Sequence, residues 1–118
     1  MDLLFNFLAG VAQGVAAGFA LSNWKENLRA RIVQWCMQNR VELATVGVML
    51  VDARQTANGT ILLVRVMGMF PNGQVIHLDD VEAPYEIGEA IGVVYNGYPV
   101  NQPQELFNYN QLYAPFNN

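Results

Sequence analysis

The sequence predicts an α+β fold: an N-terminal apolar helix and a second, amphipathic helix, then a small antiparallel β meander of three to four strands and an irregular C-terminal tail. Three observations carry this. Residues 3–24 hold no charged side chain, residues 25–89 hold 14 of the 16 charges, and the last 29 residues hold one, Glu105. From residue 42 the hydrophobic period shortens towards two, and valine becomes frequent. Two Asn-Gly pairs, Asn58-Gly59 and Asn72-Gly73, then punctuate the apolar runs as hairpin turns do. At 118 residues the chain has the size of one domain. The pattern divides it into an apolar helix over 1–22, an amphipathic helix over 23–41, a β domain over 42–98 and an extended docking tail over 99–118.

The first segment is long enough to cross a bilayer, which takes about 20 mainly apolar residues, although Asn6 and Gln13 dilute it. It lacks the basic start of a signal peptide, and Asp2 is acidic. Gly10, Gly14 and Gly18 recur every fourth residue and would line one stripe of a helix. Each glycine costs about 1 kcal/mol against alanine in a helix, so the stripe predicts close packing of another helix backbone. Asn23, with Glu26 three residues later, has the spacing of a capping box and predicts a new helix start. In the helix that follows, Trp24, Leu28, Ile32, Trp35 and Cys36 share a face. Lys25, Arg29, Arg31 and Arg40 give it a basic balance, like the positive flank of a membrane span.

Three strands are predicted over 43–57, 60–70 and 74–82, with a fourth over 90–96. Two-residue loops at 58–59 and 72–73 would set the register. Arg65 would then face Asp52 on one neighbour and Asp80 on the other, a charge trio on one sheet face. The opposite face would carry Met49, Val51, Ala53, Leu62, Val64, Val66, Val75 and Val81 as core. The uncharged tail, rich in Asn, Gln, Pro and Tyr, would lack long regular elements and dock its aromatics, Tyr109, Tyr113 and Phe116, on a neighbouring subunit.

Gly88, Glu89, Ile91, Val93, Tyr95 and Asn96, preceded by the Asn72-Gly73 turn, form a glycine-acid-apolar-valine-tyrosine-asparagine pattern. On these residues the stretch 72–106 resembles a family of small membrane-anchored bacterial β domains of unknown function. The resemblance implies a membrane-anchored β domain and implies no catalytic residues. Gly97-Tyr98 departs from that family's pattern by standing between Asn96 and Pro99.

Composition narrows the function. Charged residues are 14% of the chain, against roughly a quarter in a typical soluble domain. Part of the surface is therefore expected to face lipid or other protein. The net charge of −4 disfavours nucleic acid as a partner. A single cysteine, Cys36, excludes an intrachain disulfide, and it reads as a small buried apolar residue. His77, Asp79, Asp80 and Glu82 are the densest group of ligating side chains, but strand alternation would split them between two faces. No catalytic residue, metal ligand or cofactor is predicted. The expected function is a non-enzymatic structural subunit of a larger assembly, with protein subunits or a lipid bilayer as partners. Its expected place is a membrane or a virion. The alternative is a cytoplasmic, soluble binding module with its first helix packed on its own sheet. An enzyme or metal protein built on His77 and the acids ranks behind both.

Overall fold

A computed structural model describes residues 17–114. Helix α1 (Ala17–Asn39) leads into strands β1 (Thr45–Thr56), β2 (Gly59–Met69) and β3 (Val75–Pro84). A short helix α2 (Tyr85–Ala90) follows, then the two-residue strands β4 (Val94–Tyr95) and β5 (Tyr98–Pro99), strand β6 (Gln104–Asn108) and helix α3 (Tyr109–Tyr113). The main sheet has the order β3-β2-β1-β6, antiparallel throughout, and β4-β5 form a separate small ladder. The helix-then-antiparallel-sheet architecture is the predicted one.

The expected helix boundary at Ser22-Asn23 is absent. α1 runs unbroken through both residues, so Asn23 lies inside a helix and does not start one. Gly18 falls in the first turn of α1, whereas Gly10, Gly14 and Phe116 lie outside the described residues. Trp24, Leu28, Ile32 and Cys36, each four residues apart, are buried together with Val46, Val48, Leu62, Val64 and Val66 of the sheet. The helix thus lays one seam on one sheet face, called inner below. The indole Nε1 of Trp24 donates to the Glu82 carbonyl at 3.1 Å and ties the helix to β3.

The register of β1 differs from expectation, and the reason is local. The two residues between Thr56 and its partner Gly59 are Ala57 and Asn58, one position earlier than predicted. A two-residue type I′ loop at Asn-Gly needs positive φ at both positions. Here only Gly59 has it, at 113°, so the glycine opens β2 instead of sitting in the loop. A bulge at Val51 then moves the pairing by one more residue. Asp52 therefore faces Leu63, and Arg65 faces Met49. The trio loses Asp52. The bulge also inverts the faces of the N-terminal half of β1. Val46 and Val48 enter the core, while Met49, expected inside, stands on the outer face beside Arg65. Val51 and Ala53 are exposed.

Arg65 does face Asp80, but by a different route from the one expected. The second loop spans residues 70–74, closed by Phe70 N–H to the Gln74 carbonyl and Gly73 N–H to the Phe70 carbonyl. Met69 pairs with Val75, and a second bulge at Leu78 restores the predicted register from Asp79 onward. That bulge leaves Val75 on the outer face, 58% exposed.

Of the fourth strand expected over 90–96 only Val94–Tyr95, β4, forms, and it pairs with β5 and not with the main sheet. Residues 85–90 are the helix α2, which brings Ile87 and Gly88 into the core. A Cβ at Gly88 would overlap the Cδ1 of the fully buried Leu62, so the backbone approaches the sheet as only glycine allows. The strand pattern behind the family resemblance is thus spread over a helix, a turn and a hairpin. Asn96 and Gly97 have φ of 52° and 82° and join β4 to β5. They form the type I′ Asn-Gly loop of this chain.

The tail also differs from an irregular segment docked elsewhere. β6 pairs with residues 45–48 of β1, and its Leu106 and Phe107 are buried in the chain's own core. Leu106 and Phe107 are consecutive, and the pairing with β1 steps over Leu106, so both enter the core while Glu105 stays exposed. Asn108 and Gln111 cap α3 reciprocally: Asn108 Oδ1 accepts from Gln111 N–H, and Gln111 Oε1 accepts from Asn108 N–H, both at 2.8 Å.

Two outcomes follow from this packing. Gly88→Ala should destabilise the fold by about 1–3 kcal/mol, because the added methyl overpacks a filled site, as measured by denaturant midpoint. Deleting residues 104–118 should lower the melting temperature of the whole domain and raise amide exchange in β1, because it removes a strand and its core residues. Unchanged exchange in β1 would show the tail to be dispensable for folding.

Candidate functional site

Two surfaces are candidates, the outer face of the sheet and the junction of α1 with the C-terminal segment. Ile61, Leu63, Arg65 and Met67 of β2 point to the outer face, all half-buried, with Met49 from β1 and Val75 from β3. Beside Val75 a shallow depression of about 240 Å³ is lined mainly by Thr45, Gly47, Met67, Met69 and Pro103. Charged pairs line the β3 side, and Asp52 and Arg54 of β1 and Glu105 of β6 add charge to the same face. Arg65 Nε meets Asp80 Oδ1 at 3.3 Å, His77 Nε2 meets the same oxygen at 2.9 Å, and Arg54 Nη2 reaches Glu82 Oε2 at 3.2 Å. These pairs are partly or largely exposed, so each contributes at most about 1 kcal/mol and acts mainly on register.

His77 and Asp80 were expected on opposite faces. The bulge at Leu78 changes the alternation and brings them together, while Asp79 turns to the buried side. Asp79 Oδ1 accepts from the Asp80 N–H at 2.8 Å. Among the described residues no group of three or more His, Cys, Asp or Glu side chains is placed to hold a metal ion.

The second surface is the junction of α1 with the C-terminal strap. Arg29 is buried, its Nε donating to the Gln111 carbonyl and its Nη2 to the Ala114 carbonyl at 2.7 Å. Carbonyls in the last turn of a helix lack intrahelical donors, and a cation there also suits the helix dipole. Glu26 Oε2 lies 3.8 Å from Arg29 Nη1. Lys25 sits over the Phe107 ring, 5.7 Å from its centroid. Two of the basic residues read as a membrane flank thus hold the chain's own tail. A cleft of about 380 Å³ runs along this junction between Ser22, Lys25, Glu26 and Gln111.

The tail aromatics are divided. Tyr113 is half-buried; its hydroxyl accepts from the Leu43 N–H at 2.9 Å and donates to Cys36 Sγ at 3.5 Å. Tyr109 is exposed, donates to Glu42 Oε2 at 2.7 Å, and tilts against Tyr113 with ring centroids 4.8 Å apart. Burial pushes the Cys36 thiol above its usual value of 9.0, and burial together with the bond to Cys36 pushes Tyr113 up to about 12. Glu42 raises Tyr109. A buried thiol kept protonated is a poor nucleophile.

Arg29 as a tail anchor was missed by sequence reasoning, which grouped it with three other cations. The Asn108-to-Gln111 spacing was the signal that would have placed a helix in the tail for it to cap. Comparison with known family models, curated proteins and solved structures found no match to this chain.

The raised acidities give a pH dependence. Cys36 and Tyr113 hold their protons in the folded state at pH values where the unfolded chain has released them. Stability is therefore expected to fall as pH rises from about 9 towards 12. Tyr113→Phe should flatten that fall in denaturant titrations at pH 7, 9 and 10.5. At pH 7 it should cost about 1–3 kcal/mol, because the Leu43 N–H loses its acceptor. A parent chain equally stable at all three values would contradict the account.

Proposed function

We propose that this chain is a non-enzymatic structural subunit of a larger assembly. The observation that carries the reading is the outer face of the sheet, where Met49, Leu63, Met67, Met69 and Val75 stand without a second layer among the described residues. An apolar sheet face is normally covered, and apolar side chains bordered by charge are the layout of an interaction surface. The low charge content of the whole chain points the same way. The exposed Tyr95 and Tyr98, paired across the β4–β5 hairpin, add aromatic contact area of the kind interfaces favour.

The N-terminal segment is the proposed anchor. Residues 1–22 would sit as an apolar helix in a membrane or an oligomer's apolar centre, with Gly10, Gly14 and Gly18 as the packing stripe and the following helix as its amphipathic continuation. No described helix is long and apolar enough to cross a membrane; most of the proposed anchor precedes the described residues. Such a subunit suits a virion, particularly one with an internal membrane, or a bacterial envelope complex. Tyr109 and the cleft beside Lys25 remain the parts of the tail open to a neighbour.

A second reading, a soluble cytoplasmic binding module with residues 1–22 packed on its own sheet, draws on the packing that α1 makes with that sheet further along, through Trp24, Leu28, Ile32 and Cys36. Size analysis of the native particle separates the two. The assembly reading expects a species several times 13.1 kDa that changes size on adding detergent. A monodisperse monomer without detergent, at all accessible concentrations, would overturn it in favour of the module.

A further inference from the structure

Strand β1 is half covered. All of its twelve residues but Val51 pair with β2, whereas β6 lies only against residues 45–48. Residues 49–56 thus present a free strand edge among the described residues, and residues 51–56 are exposed. A free edge is a template for another strand, and proteins guard such edges with charge and bulges. Both guards are present here: the bulge at Val51, and Asp52, whose Oδ1 accepts the Ala53 N–H at 2.9 Å. Ala53 N–H is therefore not spent on β2 and points to the open side.

We propose that this edge binds the same edge of a second copy of the chain, antiparallel, about a two-fold axis at Ala53. The charges select this register. With Ala53 opposite its own copy, Asp52 faces the partner's Arg54 and Arg54 faces the partner's Asp52. Both residues pair with outer-face positions of β2, Leu63 and Ile61, so they share one sheet face and meet across the axis. Length agrees as well. Pairing about Ala53 uses residues 50–56 of each copy and stops short of Val48, where β6 begins.

The guard then becomes a selectivity device. For a strand to pair at Ala53, the Asp52 carboxylate must leave the Ala53 N–H. Only a strand that brings a cation opposite Asp52 compensates for that loss, and the chain's own Arg54 does so twice by symmetry. Arg54 keeps donors for the partner while Nη2 stays on Glu82, since its side chain is 68% exposed and carries five N–H groups. The joined sheet would run β3-β2-β1 into β1-β2-β3 of the second copy and merge the two outer faces into one surface.

This rests on the assembly reading and names the contact within it. The test uses the full chain in sedimentation velocity, with and without detergent, comparing Asp52→Arg, Arg54→Asp and the double exchange. Each single exchange sets like charges opposite each other twice and is expected to weaken self-association by roughly tenfold or more. The double exchange restores both opposite pairs and should recover parental association. Ala53→Cys should form an interchain disulfide under mild oxidation. Gln55→Cys should not, because the two copies of position 55 lie about 13 Å apart along the strands. Thermal melts of each variant at low concentration report whether the fold itself has changed. If all variants associate like the parent, the copies meet elsewhere; the edge proposal falls and the assembly reading stands. If the parent is a monomer under every condition, both fall.

Discussion

The structure depends on the parity of its strands. In a pleated sheet each single-residue step in register exchanges the two faces. β1 and β3 each contain one such step, at Val51 and Leu78, and β2 between them contains none. β2 therefore acts as the reference strand, with Leu62, Val64 and Val66 always inward. The bulges adjust its neighbours so that Val46 and Val48 on one side, and Val81 and Ala83 on the other, meet the same helix seam. The steps leave Met49 and Val75 on the outer face and give α1 a continuous inner surface to cover.

The same steps decide what was legible in the sequence. The strand runs, the order of helix before sheet, and the inward residues of β2 follow from periodicity, which is local. Bulges are not local. Nothing in Leu50-Val51-Asp52 marks an inserted residue; its cause is the mismatch between the turn at Ala57-Asn58 and the packing of Val46 and Val48 under α1. Arg65 and Asp80 were paired correctly only because a longer loop and a bulge compensate each other. The turn chemistry misled for a specific reason. Asn-Gly encodes a positive-φ pair only when both residues take it, which happens at Asn96-Gly97 and fails at Asn58-Gly59, where glycine alone does.

Of the candidate surfaces, less was legible. The apolar excess did not say which surface carries it; Met49, Leu63, Met67, Met69 and Val75 stand on the face bearing Arg65 and Asp80. The tail was read as polar and irregular, although Leu106, Phe107 and Leu112 are its buried residues and the Asn108–Gln111 cap orders its end. In the sequence the cations of α1 resemble the positive flank of a membrane span. Arg29 instead meets two carbonyls that exist as acceptors only once the tail has turned into α3. A contact between residues more than 80 apart has no signature in the window of a single helix.

That separation has a temporal side. β1 precedes in the chain the strand that closes part of its edge, with β2 and β3 made in between. As synthesis proceeds from the N-terminus, α1 and the β1–β2–β3 meander emerge before β6. During that interval the whole length of β1 lacks its far neighbour, and Leu43 N–H lacks the Tyr113 hydroxyl. The nascent meander is thus more adhesive than the finished protein, and the arrival of residues 104–113 decides how much of that edge survives. A ribosome carrying one such chain close to another would offer the two meanders to each other at the moment their edges are longest.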